Sequence, residues 1–410
     1  MSIDTFLLSA DTTDLDYPEV RPTLDLNFAR VKALDPRITF TRASGGSYVG
    51  ADGLIKYAGV NEARFDHDPE TGESLGLLVE ESRTNLLRRS EEFETAWIPT
   101  NVTISADAII APNGTLTADK LVETIDNGVH ATSQGTVTSG LAYVFSVYAK
   151  AGERTRMQIS GLGAEGQGFF TDYNLSTGIV SSAPPGSQMI AVGNGWYRCT
   201  LVITASATVG VVIRIRDASG NNIYTGDVTK GIYLWGAQLE QGSFPTSYIP
   251  TEGSTRTRAA DIASITGKNF SEWYRQGEGS FFCSTFAPKG IVLFGTGDTF
   301  GNTQYVTVAS SFYVTIRSGG VSVASLAAPV STTALTNIAH GYAANNFAAV
   351  SNGGATSTDT TGAVPLAQVR LKLGSSAWNT GGLNNLNGPI RRLTYYPKRL
   401  SNSQLQALTR

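Results

Sequence analysis

Apolar and polar residues alternate along this chain with the period of β-strands almost throughout, and no stretch carries the periodicity of a long helix. Ile232, Leu234 and Gly236 alternate with Tyr233, Trp235 and Ala237, so this run is apolar on both faces and suits a strand enclosed in a sandwich. Directly after it, Gly242, Pro245, Pro250, Gly253 and a Ser/Thr cluster deny the backbone both helix and ladder. An extended connection is predicted there, with a domain boundary after residue 251.

Upstream, strand-like runs at 117–122, 142–150, 156–160, 196–205, 209–216 and 232–240 are β-branched and aromatic and separated by turn signals, the spacing of a sandwich. Downstream, alternation returns at 279–286, 291–294, 305–308, 312–316, 337–342, 346–350, 369–373 and 388–396. Pro397 closes the last run, Ser401 can cap a short helix, and Gln404 stands where a capping box places its second partner. Nearer the start, 24–28 and 38–40 alternate, and Asp52-Gly53 supplies a hairpin turn between Tyr48 and Tyr57. That segment has too little apolar surface for a core of its own and is expected to pack on a neighbouring sandwich, by preference the C-terminal one. Residues 1–23 set Asp4, Asp11, Asp14, Asp16 and Glu19 against Arg21 alone, and such a segment does not fold by itself. It reads as a frayed tail or as an arm that orders on another subunit. The expected organisation is all-β: an arm at 1–23, a small β segment at 24–89, and sandwiches at 90–251 and 252–410.

Composition narrows the picture. The 410 residues allow two or three domains, and 16% charged residues with 44 Gly suit an all-β chain. The net charge is −3 and no basic cluster exceeds Arg88-Arg89 or Arg391-Arg392, so the electrostatic footprint of a nucleic-acid-binding protein is missing. No apolar run approaches the ~20 residues of a membrane-spanning helix. The opening MSIDTFLLSADTTD lacks the basic and continuous apolar regions of a signal peptide, so synthesis in the cytoplasm is expected. Cys199 and Cys283 fall in apolar strands of different domains and are expected as buried free thiols.

Reactive chemistry is sparse. His67, His130 and His340 stand apart and no Cys/His spacing makes a metal site, which excludes zinc and His-based triads. Asp66, Asp68 and Glu70 alternate before Gly72 and could wrap a calcium ion, but the distal bidentate Glu of an EF-hand is missing and an Asx-type turn is the better reading. Glu80 and Glu81 are adjacent on a strand and so point to opposite faces, which prevents them from flanking one glycosidic bond together. Arg83 is expected to pair with one of them as a strut. No catalytic residue is assigned.

Aromatic rings remain, since sugars lay apolar faces on them while polar side chains bind the hydroxyls. Trp196 and Trp235 lie in apolar strands and read as core. Trp273 and Tyr342 are available in the C-terminal sandwich. Trp97, Tyr173, Trp378 and Asn379 are the sugar-contact candidates. Trp378 lies in a polar Gly-rich loop at 375–382, where sugar contact, subunit contact and local packing all stand open.

The stretch IYLWGAQLEQGSFPTSYIPTEGSTRTRAAD at 232–261 resembles a segment of bacteriophage tail and other virion structural proteins. LDPRITFTRASGGSYVGADGLIKYAG at 34–59, RFDHDPETGESLGLLVEESRTNLLRRSEEF at 64–93 and NGPIRRLTYYPKRLSNSQLQALT at 387–409 carry the same resemblance. The Gly195-Trp196-Tyr197-Arg198 step is similar to one in jelly-roll carbohydrate-binding modules, and the C-terminal end resembles laminin-G or concanavalin A-like sandwiches. The resemblance implies a jelly roll followed by a lectin-like sandwich in a non-enzymatic virion subunit of a tail, fibre or head decoration. Its implied partners are other virion proteins and host cell-surface polysaccharide. A homo-oligomer, by preference a trimer, would match symmetric attachment sites. Two further readings stand: a capsule or polysaccharide depolymerase, and a purely structural scaffold. Neither heptads, a collagen-like repeat nor a β-helix repeat is present, so the subunit is expected to be compact.

Overall fold

The computed structural model describes residues 17–161, 170–204, 209–286, 292–308, 311–329, 335–365, 367–378 and 385–410. Most of the acidic arm and Asn379 lie outside the described residues. The chain divides into two compact units, one formed by Phe40–Asp261 and the other by 17–39 with Ile262–Arg410. Both are β-sandwiches, the first a jelly roll and the second concanavalin A-like.

In the jelly roll, one sheet runs in the order Gln188–Ala191, Trp196–Thr204, Ala142–Ala151, Gly231–Gln241, Leu116–Glu123 and Val102–Ile110. The facing sheet runs Ile179–Ser181, Phe170–Asn174, Arg156–Gly161, Val209–Arg216, His130–Val137 and Ile98–Thr100. Alternation places Tyr143, Phe145, Val147 and Ala149 between the sheets, where Ile213, Ile215, Leu201 and Cys199 meet them. The Gly231–Gln241 strand does not keep one phase. Ile232 and Leu234 face this core, and so do Ala237 and Leu239. A register shift between the pairs Ser146–Gln238 and Tyr148–Trp235 marks a bulge that absorbs the extra residue. Gly236 sits there with φ +60°, and a Cβ on it would meet the Tyr148 ring at 2.9 Å and the Tyr248 ring at 3.3 Å. Trp235 is therefore buried on the other face of the sheet, against Tyr148, Tyr248 and Ile55, instead of between the sheets.

Residues outside 90–251 cover that second face. The hairpin Gly46–Val49/Ile55–Ala58 is tied down where Ser47 Oγ donates to the Tyr248 carbonyl at 2.6 Å. Arg256–Arg258 pairs antiparallel with Arg83–Asn85, which carries the predicted linker back onto the unit it was expected to leave. An enclosed ionic cluster completes the join. Asp261 accepts from Arg42 Nη1 at 3.1 Å and Arg64 Nη2 at 2.5 Å, and Glu80 lies 2.8 Å from Arg64 and 3.5 Å from Arg258. These side chains are at most 5% exposed. Hence 40–89 and 252–261 belong to the jelly-roll unit, and the sequence-drawn divisions at 89/90 and 251/252 do not coincide with its edges.

In the second unit, Ser357–Asp359, Asn346–Ser351, Leu335–Ala343, Glu278–Phe286 and Gly388–Tyr396 pair in that order, and Leu24–Asn27 adds to Gly388–Tyr396 with Leu24 opposite Tyr395. The other sheet runs Ile262–Thr266, Arg370–Leu373, Val292–Thr299, Asn302–Val308, Ser311–Ser318 and Val321–Pro329. Trp273, Tyr274, Phe281, Tyr342 and Tyr395 form an aromatic core, so Trp273 and Tyr342 are structural. The helix Asn402–Thr409 starts with the expected capping box: Ser401 Oγ accepts from Gln404 N at 3.2 Å and Gln404 Oε1 from Ser401 N at 3.0 Å. Cys199 and Cys283 are buried and unpaired.

Candidate functional site

Trp378 is brought onto the outer face of the second unit's Val292–Thr299/Asn302–Val308/Ser311–Ser318 sheet. A glycine makes that approach possible. A Cβ on Gly295 would lie 3.0 Å from Ala377 N and 3.3 Å from Tyr305 Cβ, so the turn before Trp378 lies flat on the strand at that point. Gly295 is the register partner of Tyr305, and the Trp378 ring packs edge-on over Tyr305 with centroids 4.8 Å apart. Phe300 closes the other side at 5.2 Å while remaining 51% exposed, and the Arg317 guanidinium lies 4.1 Å from its ring centre. Arg317 is fixed by donating Nε to the Phe300 carbonyl at 3.0 Å and Nη2 to the Gly320 carbonyl at 2.7 Å.

The register Thr303–Arg317, Tyr305–Thr315 and Thr307–Tyr313 puts Tyr305, Thr307, Tyr313, Thr315 and Arg317 on this same face. Phe312, Val314 and Ile316 point the opposite way into the core. A half-buried Trp, an exposed Phe, a capping Arg and a border of hydroxyls result. Such a surface offers edge-to-face aromatic rings with donors and acceptors beside them. Phe300, Tyr305 and Arg317 were not found from sequence, because sheet register, and not chain proximity, brings them to Trp378. Local packing of Trp378 is thus real, and it leaves part of the ring at the surface.

The other sugar-contact candidates lie elsewhere. Trp97 is 5% exposed, packs on Phe93 and donates its indole N–H to the Arg89 carbonyl at 2.9 Å. Tyr173 is 2% exposed, with its hydroxyl donating to the Thr200 carbonyl at 2.6 Å. Both rings are spent on the jelly-roll core and present no open face to a ligand.

The carboxylates weighed for calcium do not converge either. Asp68 accepts from Glu70 N at 3.0 Å and from Thr71 N at 2.8 Å, an Asx turn. Glu70 is exposed, and Asp66 accepts from Val49 N at 2.7 Å. Among the described residues no group of His, Cys, Asp or Glu is placed to hold a metal ion. Burial pushes the Asp66 carboxyl up to about 6, against the pull of the Val49 N–H. Glu80 behaves oppositely. Burial opposes its charge, but Arg258, Arg64 and two bonds from Ser247 outweigh that and hold it near about 2. Glu81 pairs instead with Arg83 at 2.6 Å, the expected strut.

No protein-family model matches the sequence, and no curated protein matches it. Parts of the chain are similar to several solved structures. One is the Ruminococcus gnavus IT-sialidase CBM40, at 19% identity over 33% of this chain and 83% of that one, with a TM-score of 0.29. Another is the NanB sialidase from Streptococcus pneumoniae, at 15% identity over 36% of this chain and 26% of that one, with a TM-score of 0.30. A third is domain 4 of AbnA, a GH43 extracellular arabinanase from Geobacillus stearothermophilus, at 13% identity over 42% of this chain and 84% of that one, with a TM-score of 0.28. No ligand or activity follows from likenesses of this size.

Proposed function

We propose that this chain is a non-enzymatic bacteriophage virion subunit that binds host cell-surface glycan through the Trp378 platform. The observation that carries the binding role is the exposed Phe300 ring, capped by Arg317 and flanked by Trp378, on a hydroxyl-bordered sheet face. An exposed apolar patch rimmed by polar groups marks an interaction surface, and a sugar ring matches both the apolar centre and the polar edge. The virion assignment rests on the four resembling sequence stretches. It includes other virion proteins as partners, a homotrimer as assembly and synthesis in the host cytoplasm.

Titration of host polysaccharide against wild type and Trp378→Ala tests the platform. Burying a large side chain against a ligand is worth about 1.5–3 kcal/mol, so the variant should bind roughly ten-fold or more weakly while it still folds, with a melting temperature lowered only by the lost packing on Tyr305 and Phe300. Equal affinities would move the site elsewhere. Release of reducing ends would indicate a depolymerase, and no binding by either protein would leave a scaffold.

A further inference from the structure

The jelly-roll unit contains a cleft of about 430 Å³, lined by the hairpin, the 248–252 return and the strand Arg256–Arg258. Its size falls among those of small-ligand sites, roughly 300–1,000 Å³. At its mouth stands Tyr57, 48% exposed. Burial first and the Glu91 charge second raise its hydroxyl pKa, with Asn113 and Arg256 near it.

Arg256 and Arg258 are two residues apart on one strand and so share its cleft-facing side. Arg256 is exposed at the rim. Arg258 is 1% exposed, and its Nε and Nη2 have no hydrogen-bond partner among the described residues. Its contacts to carboxylates are long, 3.5 Å to Glu80 and 3.9 Å to Asp261, and burial outweighs them to lower its pKa. A buried guanidinium with unused donors is costly, and Arg258 places two such N–H groups beneath the cleft lining. Two acidic groups also line the site. Glu252 is at the exposed rim, and Glu91 is half-buried, with Tyr248 donating to it at 2.7 Å. Burial raises the Glu91 carboxyl pKa.

We propose that this cleft is a binding site for a sugar bearing a carboxylate, with the ring on Tyr57, the carboxylate on Arg256 above the Arg258 charge, and hydroxyls on Asn113 and Glu252. An uncharged sugar would leave the rim guanidinium of Arg256 unanswered, and a non-sugar carboxylate would leave the Tyr57 face and the Glu252 acceptor unused. The site stands on the cleft alone and does not depend on the Trp378 platform.

Calorimetric titration of the full chain with 3′-sialyllactose and with trigalacturonate, against lactose as the uncharged comparator, tests it. An acidic sugar should bind at least roughly ten-fold more tightly than lactose, and whichever acid binds identifies its source. Arg256→Gln and Tyr57→Ala should each weaken that binding roughly ten-fold or more; both positions reach the surface, so the melting temperature should hold. The acidic affinity of Trp378→Ala should equal that of wild type. The proposal is overturned by lactose binding as well as the acids, by neither acid binding, by both cleft variants retaining wild-type affinity, or by loss of acidic binding in Trp378→Ala.

Discussion

Glu80→Gln removes one charge from the enclosed cluster while keeping the side chain's shape. In the folded protein this carboxylate accepts from Ser247 N and Oγ, each at 2.7 Å, and faces Arg64 at 2.8 Å and Arg258 at 3.5 Å. Its pKa falls from 4.5 to about 2. At 1.36 kcal/mol per unit, the charged state contributes about 3 kcal/mol to folding, in line with the ~3–5 kcal/mol that breaking a buried pair costs. The sign fixes the pH window. Because the folded pKa is depressed, the contribution is complete above pH 4.5 and is lost as pH falls toward 2. Equilibrium urea unfolding followed by tryptophan fluorescence should therefore show Glu80→Gln about 3 kcal/mol less stable at pH 7, with the gap closing between pH 4.5 and 2. Glu81→Gln is the matched comparison. Its pair with Arg83 is partly exposed, 23% on the Glu side, so the loss should stay below about 1 kcal/mol. A gap of similar size for both variants, or one that persists at pH 2, would refute the assignment of this stability to the Glu80 charge.

Asp66 has the opposite sign: its raised pKa of about 6 makes the folded state lose stability as pH rises from 3.8 through 6. Asp66→Asn, whose amide oxygen can still accept from Val49 N, should gain up to about 3 kcal/mol at pH 7 and little at pH 4; parallel unfolding curves at the two pH values that show no gain at pH 7 would contradict this. Gly236→Ala forces a left-handed residue and a Cβ into the 2.9 Å approach to Tyr148, and should cost about 1–3 kcal/mol in thermal unfolding; wild-type stability would mean that the bulge can relax.

Several features were legible in the order of residues alone. The β-branched runs with period two gave the sandwich strands, Ser401 and Gln404 gave the cap of the last helix, and Asp68 before Gly72 gave an Asx turn. In each case the signal and its physical cause lie within a few residues of one another. Glu80 and Glu81 do point to different environments, but from the connection between the strands Ser74–Val79 and Arg83–Asn85 and not from a strand as expected.

What needed the tertiary structure was every question of which face is covered and by what. Alternation around Trp235 showed a strand apolar on both sides, but the bulge at Gly236 and the hairpin over Tyr148 and Tyr248 decided where that ring is buried. Pro and Gly after Trp235 marked a break in the ladder, yet Arg256–Arg258 returns to Arg83–Asn85 and Asp261 is held by Arg42 and Arg64 from far earlier in the chain. Trp97 and Tyr173 stood as sugar-contact candidates, and the jelly-roll core took both. Trp378 found Phe300, Tyr305 and Arg317 through sheet register. Periodicity tells which residues share a face of one element; a partner for that face comes from elsewhere in the chain, and the pairing is set by the free energy of burying the two surfaces together.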